Sequence, residues 1–311
     1  MLDYAFETIF ISYVIAAAGL GWILIKKYTG QKFLGVILPG LLILSALGVI
    51  ESAYIEPYWL KIRSTDIQVD KLREPIKIAL FSDTHLRATK NAGWLKKIAS
   101  KLRAEKPDLI LMAGDFLYFD DFEKFGDKLN ELGALTKIAP TFAVLGNHDY
   151  GIGNRELTFL YNDQHQNIEK KLDDLGITVL RDENVKIKIK NEELWLVGFD
   201  EAWFLGNRPE KALAGLNDNL LKIGLSHHPD IAFDPRAKIL DLVLSGHTHG
   251  GQIRLPWLGA LGDADTPLLK KDYGRYLPDH QPKIFNTIGV GESGPHLRFF
   301  NPPEIAILKI Q

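Results

Sequence analysis

The hydrophobic pattern changes character near residue 60. Ile9 to Ile25 is an uncharged run of 17 residues, and Phe33 to Ile50 is a second one of 18. Neither run carries polar residues at helical spacing, as one face of a soluble core helix would. With Phe6 and Tyr54 added at their flanks, both approach the roughly 20 residues needed to cross hydrocarbon. The seven residues between them, KKYTGQK, suit a turn at a headgroup surface, and Tyr4, Trp22, Tyr54, Tyr58 and Trp59 fall near the ends, where amphipathic rings collect. A cleaved signal peptide is disfavoured, because Asp3 and Glu7 stand where a basic region belongs. The pattern therefore predicts a two-helix transmembrane hairpin, about 6–25 and 33–54, in an anchor of residues 1–60, with Pro39 as a kink. The three lysines of the loop put it on the cytoplasmic side and the remainder of the chain outside. Lys61, Arg63, Lys71 and Arg73 after the second run blunt that asymmetry.

Residues 61–74 read as a linker. From residue 75 strands and helices alternate: IKIALFS (76–82), a helix over 92–107 closed by Pro107, LILMAG (109–114), a helix over 119–135, TFAVLG (141–146) and a helix over 163–175. ITVL, VKIKIK and LWLVGF then read as short meandering or antiparallel strands. LKIGLS and DLVLSG resume the alternation around a short helix at 229–237, and KIFNTIGV and EIAILKI close the chain as strands. The pattern is that of an α/β domain, residues 75–311, with two packed sheets and helices outside.

Composition sharpens this picture. The 37 basic and 39 acidic residues leave a formal charge of −2, without the basic excess of a nucleic-acid binder. Residues 1–60 hold three of those bases and four of the acids, so the soluble part is nearly neutral by itself. The absence of cysteine excludes thiol nucleophiles, Cys-ligated zinc and Fe–S clusters.

The candidate chemistry lies at strand ends, where open α/β sheets place their ligands. Asp83-Thr84-His85, Gly114-Asp115, Gly146-Asn147-His148-Asp149, Ser226-His227-His228 and Gly246-His247-Thr248-His249-Gly250-Gly251 each follow a strand. Histidine, carboxylate and amide oxygen without thiolate suit Mn²⁺, Fe or Zn²⁺ in expanded coordination. There are too many such groups for one ion; two ions sharing a carboxylate would use them all.

This ordered set, D-x-H, G-D, G-N-H-D, H and G-H-T-H-G-G, resembles the calcineurin-like metallophosphoesterase superfamily over roughly residues 75–311. The stretches SHHPD, GHTHGGQIRLP and SGPHLRFFNPPEI are similar to its bacterial membrane-anchored branch. The resemblance implies a metallophosphoesterase-like α/β/β/α sandwich of two mixed sheets behind the hairpin. It implies two divalent metal ions, the first held by Asp83, His85 and His249, the second by Asn147, His227 and His247, with Asp115 between them. His148 would contact the phosphoryl group and protonate the leaving oxygen. The implied reaction is hydrolysis of a phosphodiester or pyrophosphate bond by a metal-bridged hydroxide. Some members of that branch act on UDP-2,3-diacylglucosamine in lipid A synthesis, so a lipid-linked substrate at a bacterial inner membrane is the expectation. A non-catalytic, membrane-tethered metal scaffold or complex subunit is the alternative.

Other residues carry blander readings. His228 is expected behind the ligands or on the surface, Asp149 as a stabiliser of its own loop, and Arg298 as a phosphate or headgroup ligand or a solvated or structural arginine. Asp200-Glu201 and Asp263/Asp265 are acidic turns near the site or merely solvated ones.

Overall fold

The computed structural model describes residues 2–28, 32–118, 122–153, 156, 162–203, 208–216, 218–261, 266 and 276–311; Asp263 and Asp265 lie outside them. Helices α1 (Leu2–Lys27) and α2 (Lys32–Ile50) are the two apolar runs. Both are long and apolar enough to cross a membrane, and most of their large side chains are exposed. They pack on each other, with a hydrogen bond of 2.8 Å between the Tyr13 hydroxyl and Ser45 Oγ. The helical path of α2 continues as a wider turn (Glu51–Ile55) and a 3₁₀ turn (Glu56–Tyr58).

Two six-stranded sheets follow. The first contains β1 (Lys61–Ile67), β2 (Ile76–Phe81), β3 (Leu109–Ala113), β4 (Thr141–Val144), β5 (Thr178–Val179) and β14 (Glu304–Ile310), in the order β1-β14-β2-β3-β4-β5. The second contains β6 (Glu183–Ile189), β7 (Glu192–Gly198), β8 (Leu221–Leu225), β9 (Leu242–Ser245), β12 (Tyr276–Leu277) and β13 (Lys283–Asn286), in the order β12-β13-β9-β8-β7-β6. A two-stranded ribbon, β10 (Arg254–Leu255) with β11 (Gly259–Ala260), stands apart. Strands β2 to β5 run parallel, as do β7, β8, β9 and β13. Parallel strands buried on both faces read as unbroken apolar runs, which is why IKIALF and LILMA carry almost no polar residue. The sheets face each other across Ile78, Leu80, Leu109 and Leu111 on one side and Leu196, Ile223, Leu225 and Leu244 on the other.

Helix α3 (Ala92–Glu105) covers the outer face of the first sheet with Trp94, Leu95, Ile98 and Leu102. Asn91 caps its start, and Lys106 ends it in a left-handed conformation at φ 51°, ahead of Pro107. Helix α5 (His165–Asp174) lies close to its expected place.

Four expectations need correction. Residues 61–67, read as linker, form β1, paired in parallel along the whole of β14; its largely exposed, charged residues mark a sheet edge rather than a tether. ITVL extends the first sheet beside β4, and of the meandering strands only the β6–β7 pair is antiparallel. The helix expected over 119–135 is α4 (Phe122–Phe125) and then a 3₁₀ stretch, Gly126–Ala134. Glycines at 126 and 133 lower helical preference there. The helix at 229–237 is two 3₁₀ turns, parted where Pro235 forces Asp234 into an extended conformation.

Candidate metal centre

All five polar segments leave the carboxyl ends of β2, β3, β4, β8 and β9, and the backbone ties them together. The Asp83 N–H donates to Gly114 O (2.9 Å), the His85 N–H to Asp115 O (3.1 Å) and the Gly246 N–H to His227 O (3.0 Å). The sheets meet where the His247 N–H donates to Asp83 Oδ2 at 3.2 Å. Five of the seven candidate ligands, Asp83, His85, Asp115, His247 and His249, have φ between 40° and 71°. Such conformations are costly for residues other than glycine and persist where the surroundings hold them. The same crowding demands glycine at two neighbours. Gly114 has φ 83°, and a Cβ on Gly146 would lie 2.2 Å from Asp115 Oδ1.

The side chains form two groups that share one carboxylate. Asp83, His85 and His249 bring ligand atoms within 4.8 Å of one another. Within that group His85 Nε2 lies 3.1 Å from His249 Nε2 and 3.5 Å from Asp115 Oδ2. On the other side His227 Nε2 lies 3.2 Å from the same Asp115 Oδ2, 3.0 Å from Asn147 Oδ1 and 3.2 Å from His247 Nδ1. His148 groups with His85 and the shared Asp115, its Nε2 4.0 Å from Asp115 Oδ2 and its backbone N–H donating to Asp115 Oδ1 at 2.9 Å.

These positions are held from behind. The His227 Nδ1 contacts Ala113 O at 2.6 Å, and Asn147 Nδ2 donates to Ile152 O at 2.7 Å, turning the amide oxygen inward. Buried Asp149 accepts from the N–H groups of Asp115 (3.0 Å), Phe116 (2.8 Å) and Gly146 (2.9 Å), clamping two loops at once. It therefore serves both the loop it belongs to and the one carrying Asp115. His228, with His227 and His247, forms a further close group, and its Nε2 contacts Glu201 Oε1 at 3.1 Å.

Electrostatics at His85, His247 and His249, though not at His227, fit a cation site. Burial pushes Asp83 up to about 7. Burial also lowers His148 to about 4 and His249 to about 3, and with neighbouring imidazoles takes His85 and His247 well below the usual histidine value. Neutral imidazole is the form that ligates metal. For Asp115, burial is outweighed by His227 and His148, which hold it well below the carboxylate range; reciprocally, Asp115 outweighs burial at His227 and raises it to about 10. Asp83 Oδ1 and His247 Nε2 are buried without a hydrogen-bond partner among the described residues. Carboxylate oxygens and imidazole nitrogens crowded this closely, some unpartnered, fit divalent cations better than hydrogen bonds among themselves.

The geometry agrees with a match to the family model described as calcineurin-like phosphoesterase over residues 76–251. The chain belongs to that family. It is thus a metal-dependent phosphoric ester hydrolase that uses divalent metals. Among curated relatives, phosphodiesterase YaeI of Escherichia coli is 32% identical over 83% of this chain and 90% of its own length. An uncharacterized metallophosphoesterase, YkuE of Bacillus subtilis, is 28% identical over 92% and 99%. UDP-2,3-diacylglucosamine pyrophosphatase LpxG of Chlamydia muridarum is 26% identical over 82% and 91%.

Arg298 is a correction. It is fully buried, and its guanidinium donates to the carbonyls of Asn301, Ile288, Gly289 and Gly291, so it offers nothing to a phosphate. Its place in a glycine- and proline-flanked tail gave no sign of burial. The sequence reading also missed Tyr118, whose ring stacks on His148 (5.4 Å between centroids) and meets His85 edge-on, and Trp203, 4.4 Å from the His228 ring. Tyr118 lies only three residues beyond Asp115, but nothing in its local pattern separates a site aromatic from a core one.

Proposed function

We propose that this chain is a membrane-anchored dinuclear metallophosphoesterase that cleaves a phosphodiester or pyrophosphate bond in a lipid-linked substrate. The observation that carries the dinuclear reading is Asp115, whose Oδ2 lies within 3.5 Å of ligand nitrogens in both groups. Asp83, His85, Asp115 and His249 would hold one cation; Asp115, Asn147, His227 and His247 the other. Two divalent cations, Mn²⁺ first among them, would supply charge for the phosphoryl oxygens and a water acidified toward neutral pH.

The chain's own groups do the rest. Asp115 offsets the repulsion between two bound cations, and Asp149 fixes its loop. Tyr118 and His85 pack on the His148 ring, whose Nε2 lies 4.0 Å from the shared Asp115 carboxylate. His148 is thus placed to contact the phosphoryl group and hand a proton to the departing oxygen, a contribution of about 10²- to 10⁴-fold. A developing anion beside it favours the protonated imidazole that burial alone disfavours.

The substrate class rests on the apolar hairpin and on the LpxG likeness: α1 and α2 reach bilayer length, and tethering raises the effective concentration of amphiphilic substrates. UDP-2,3-diacylglucosamine is the specific candidate. The loop lysines put the catalytic domain on the exterior (periplasmic) face of a bacterial inner membrane.

The test uses the full-length protein loaded with Mn²⁺. We expect hydrolysis of bis-(p-nitrophenyl) phosphate and a higher kcat/KM for UDP-2,3-diacylglucosamine than for a non-acylated UDP-sugar. Equal rates for the last two would remove the lipid-linked reading. No turnover with any divalent metal would favour the tethered scaffold instead.

A further inference from the structure

The catalytic domain meets α2 in its last turn. A Cβ on Gly48 would lie 3.8 Å from the Phe299 ring. Leu41, Leu44 and Gly48 share a groove of about 590 Å³ with Ile253, Leu297 and Phe299. A hydrocarbon core about 30 Å thick spans about 20 helical residues. Counted from Lys32, where α2 begins, that depth extends to about residue 52. Phe299 therefore meets α2 just inside the far edge of that depth if the hairpin spans the bilayer, with Ile253 and Leu297 lining the same groove. A water-soluble domain would carry polar residues there.

The surface around these residues is apolar too. Ile253 and Phe299 are bridged in parallel, and the Arg254 N–H donates to Phe299 O at 2.8 Å. The β10–β11 ribbon grows from this point, and the Leu261 N–H returns to Ile253 O at 2.9 Å. At its turn Trp257 is 102% exposed and Leu258 70%, and Leu261 is 58% exposed. Phe300 (59%) and Trp59 (57%) line a neighbouring groove together. Large apolar side chains gathered on one surface mark an interaction site. From Gly251 to Leu261 there is no carboxylate, and Arg254 is the one cation of that stretch, which favours anionic headgroups at the turn.

We infer that the β10–β11 turn, with Phe300 and Trp59, is a second membrane-inserting element whose partner is the lipid bilayer at its headgroup boundary. Tryptophan beside leucine on an exposed turn is suited to that boundary. The inference rests on the reading of α1 and α2 as a membrane hairpin. Its consequence concerns the same catalytic site. The ribbon begins five residues after His249, and Arg254 Nη1 donates to Gly250 O at 2.8 Å, so a seated ribbon fixes the metal centre relative to the headgroups. The enzyme would then act on phosphoesters presented at the surface.

The test reconstitutes the full-length protein in phosphatidylcholine–phosphatidylglycerol vesicles with brominated acyl chains and reads tryptophan quenching. The emission lost in Trp257→Phe isolates Trp257, and Trp22→Phe isolates a reporter within α1. Quenching of both is the expected result. Quenching of Trp22 alone overturns the inserted turn and leaves the hairpin standing; quenching of neither overturns both. Shielding of Trp257 only at high protein concentration in detergent, with no quenching in vesicles, assigns the patch to a second copy and overturns the proposal. As a second readout, Trp257→Ser combined with Leu258→Ser should lower kcat/KM for a vesicle-borne phosphoester about tenfold or more. Hydrolysis of bis-(p-nitrophenyl) phosphate should stay unchanged, because neither residue touches the metal centre. Equal losses on both substrates overturn the surface-presentation role, while loss of the soluble activity in wild type would count against the phosphoesterase reading itself.

Discussion

Replacing Asp149 offers a graded test of how the metal centre is held. Its buried carboxylate accepts three backbone N–H groups, Asp115 and Gly146 on Oδ2 and Phe116 on Oδ1. Asp149→Ala leaves all three unsatisfied, and each orphaned buried donor costs about 1–3 kcal/mol. The total is about 3–9 kcal/mol, with the lower end favoured because the vacated space admits water. Asp149→Asn keeps one carbonyl oxygen, which can serve the Asp115 and Gly146 pair, and turns its amide toward Phe116. That removes about one bond, or 1–3 kcal/mol. In domains of this size, 1 kcal/mol shifts Tm by about 2–4 °C, so the Ala variant should melt at least about 6 °C below wild type and the Asn variant between the two. Intrinsic tryptophan fluorescence of the detergent-solubilised, metal-free protein provides the melting curve. Metal content of the loaded variants should fall in the same order, since Asp149 clamps the loops bearing Asp115 and Asn147. Equal Tm values for all three proteins, or an Asn variant as damaged as the Ala variant, would refute the clamp.

Further outcomes follow from the same geometry. Asp115→Asn should lower Mn²⁺ content, measured by elemental analysis, and reduce turnover by more than the 10- to 100-fold typical of residues outside the ligand shell; full activity would end the dinuclear reading. His148→Ala should retain its metal while losing about 10²- to 10⁴-fold in turnover, and simultaneous loss of metal would make it a ligand instead. Removing metal with a chelator should abolish hydrolysis and lower Tm, with both restored by Mn²⁺, because ligands that bind the native state stabilise it. Glu292 is buried beside Lys90 and His296; burial raises its pKa, but these neighbours outweigh it and hold the carboxyl well below its usual value of 4.5. A depressed carboxylate stabilises the fold fully above pH 4.5, and that contribution is lost as pH falls through the folded value. Glu292→Gln should therefore make the acid side of a stability–pH curve shallower than in wild type, and an unchanged slope would refute this role.

Much of the fold can be read from the chain because apolar periodicity reports burial directly. The runs IKIALF, LILMA, LKIGL and LVLS are strands buried on both faces, and their continuous hydrophobicity declares it. β1 was hidden because an edge strand of KIRSTDI keeps its polar side chains in water and looks like a tether. Residues 52–58 mark a similar limit. They read as part of a membrane anchor, yet Ser52 O accepts from the Arg298 N–H at 2.8 Å and Glu56 accepts from the Phe300 N–H at 2.9 Å. No local pattern announces that a helix end is built into a domain hundreds of residues later.

The sequence by itself determined which side chains gather at the candidate metal centre. Histidines, aspartates and an asparagine placed after successive strands must converge once those strands run parallel, since the chain leaves every such strand at the same end of its sheet. Only the tertiary structure decided what each group does there. It joined the two ligand groups through Asp115, set Asp149 between their loops, and withdrew Arg298 into a cage of carbonyls. Spacing along a chain fixes which residues leave a strand together. Burial and distance across the two sheets, which set charge state and hydrogen bonding, arise only when the sheets pack.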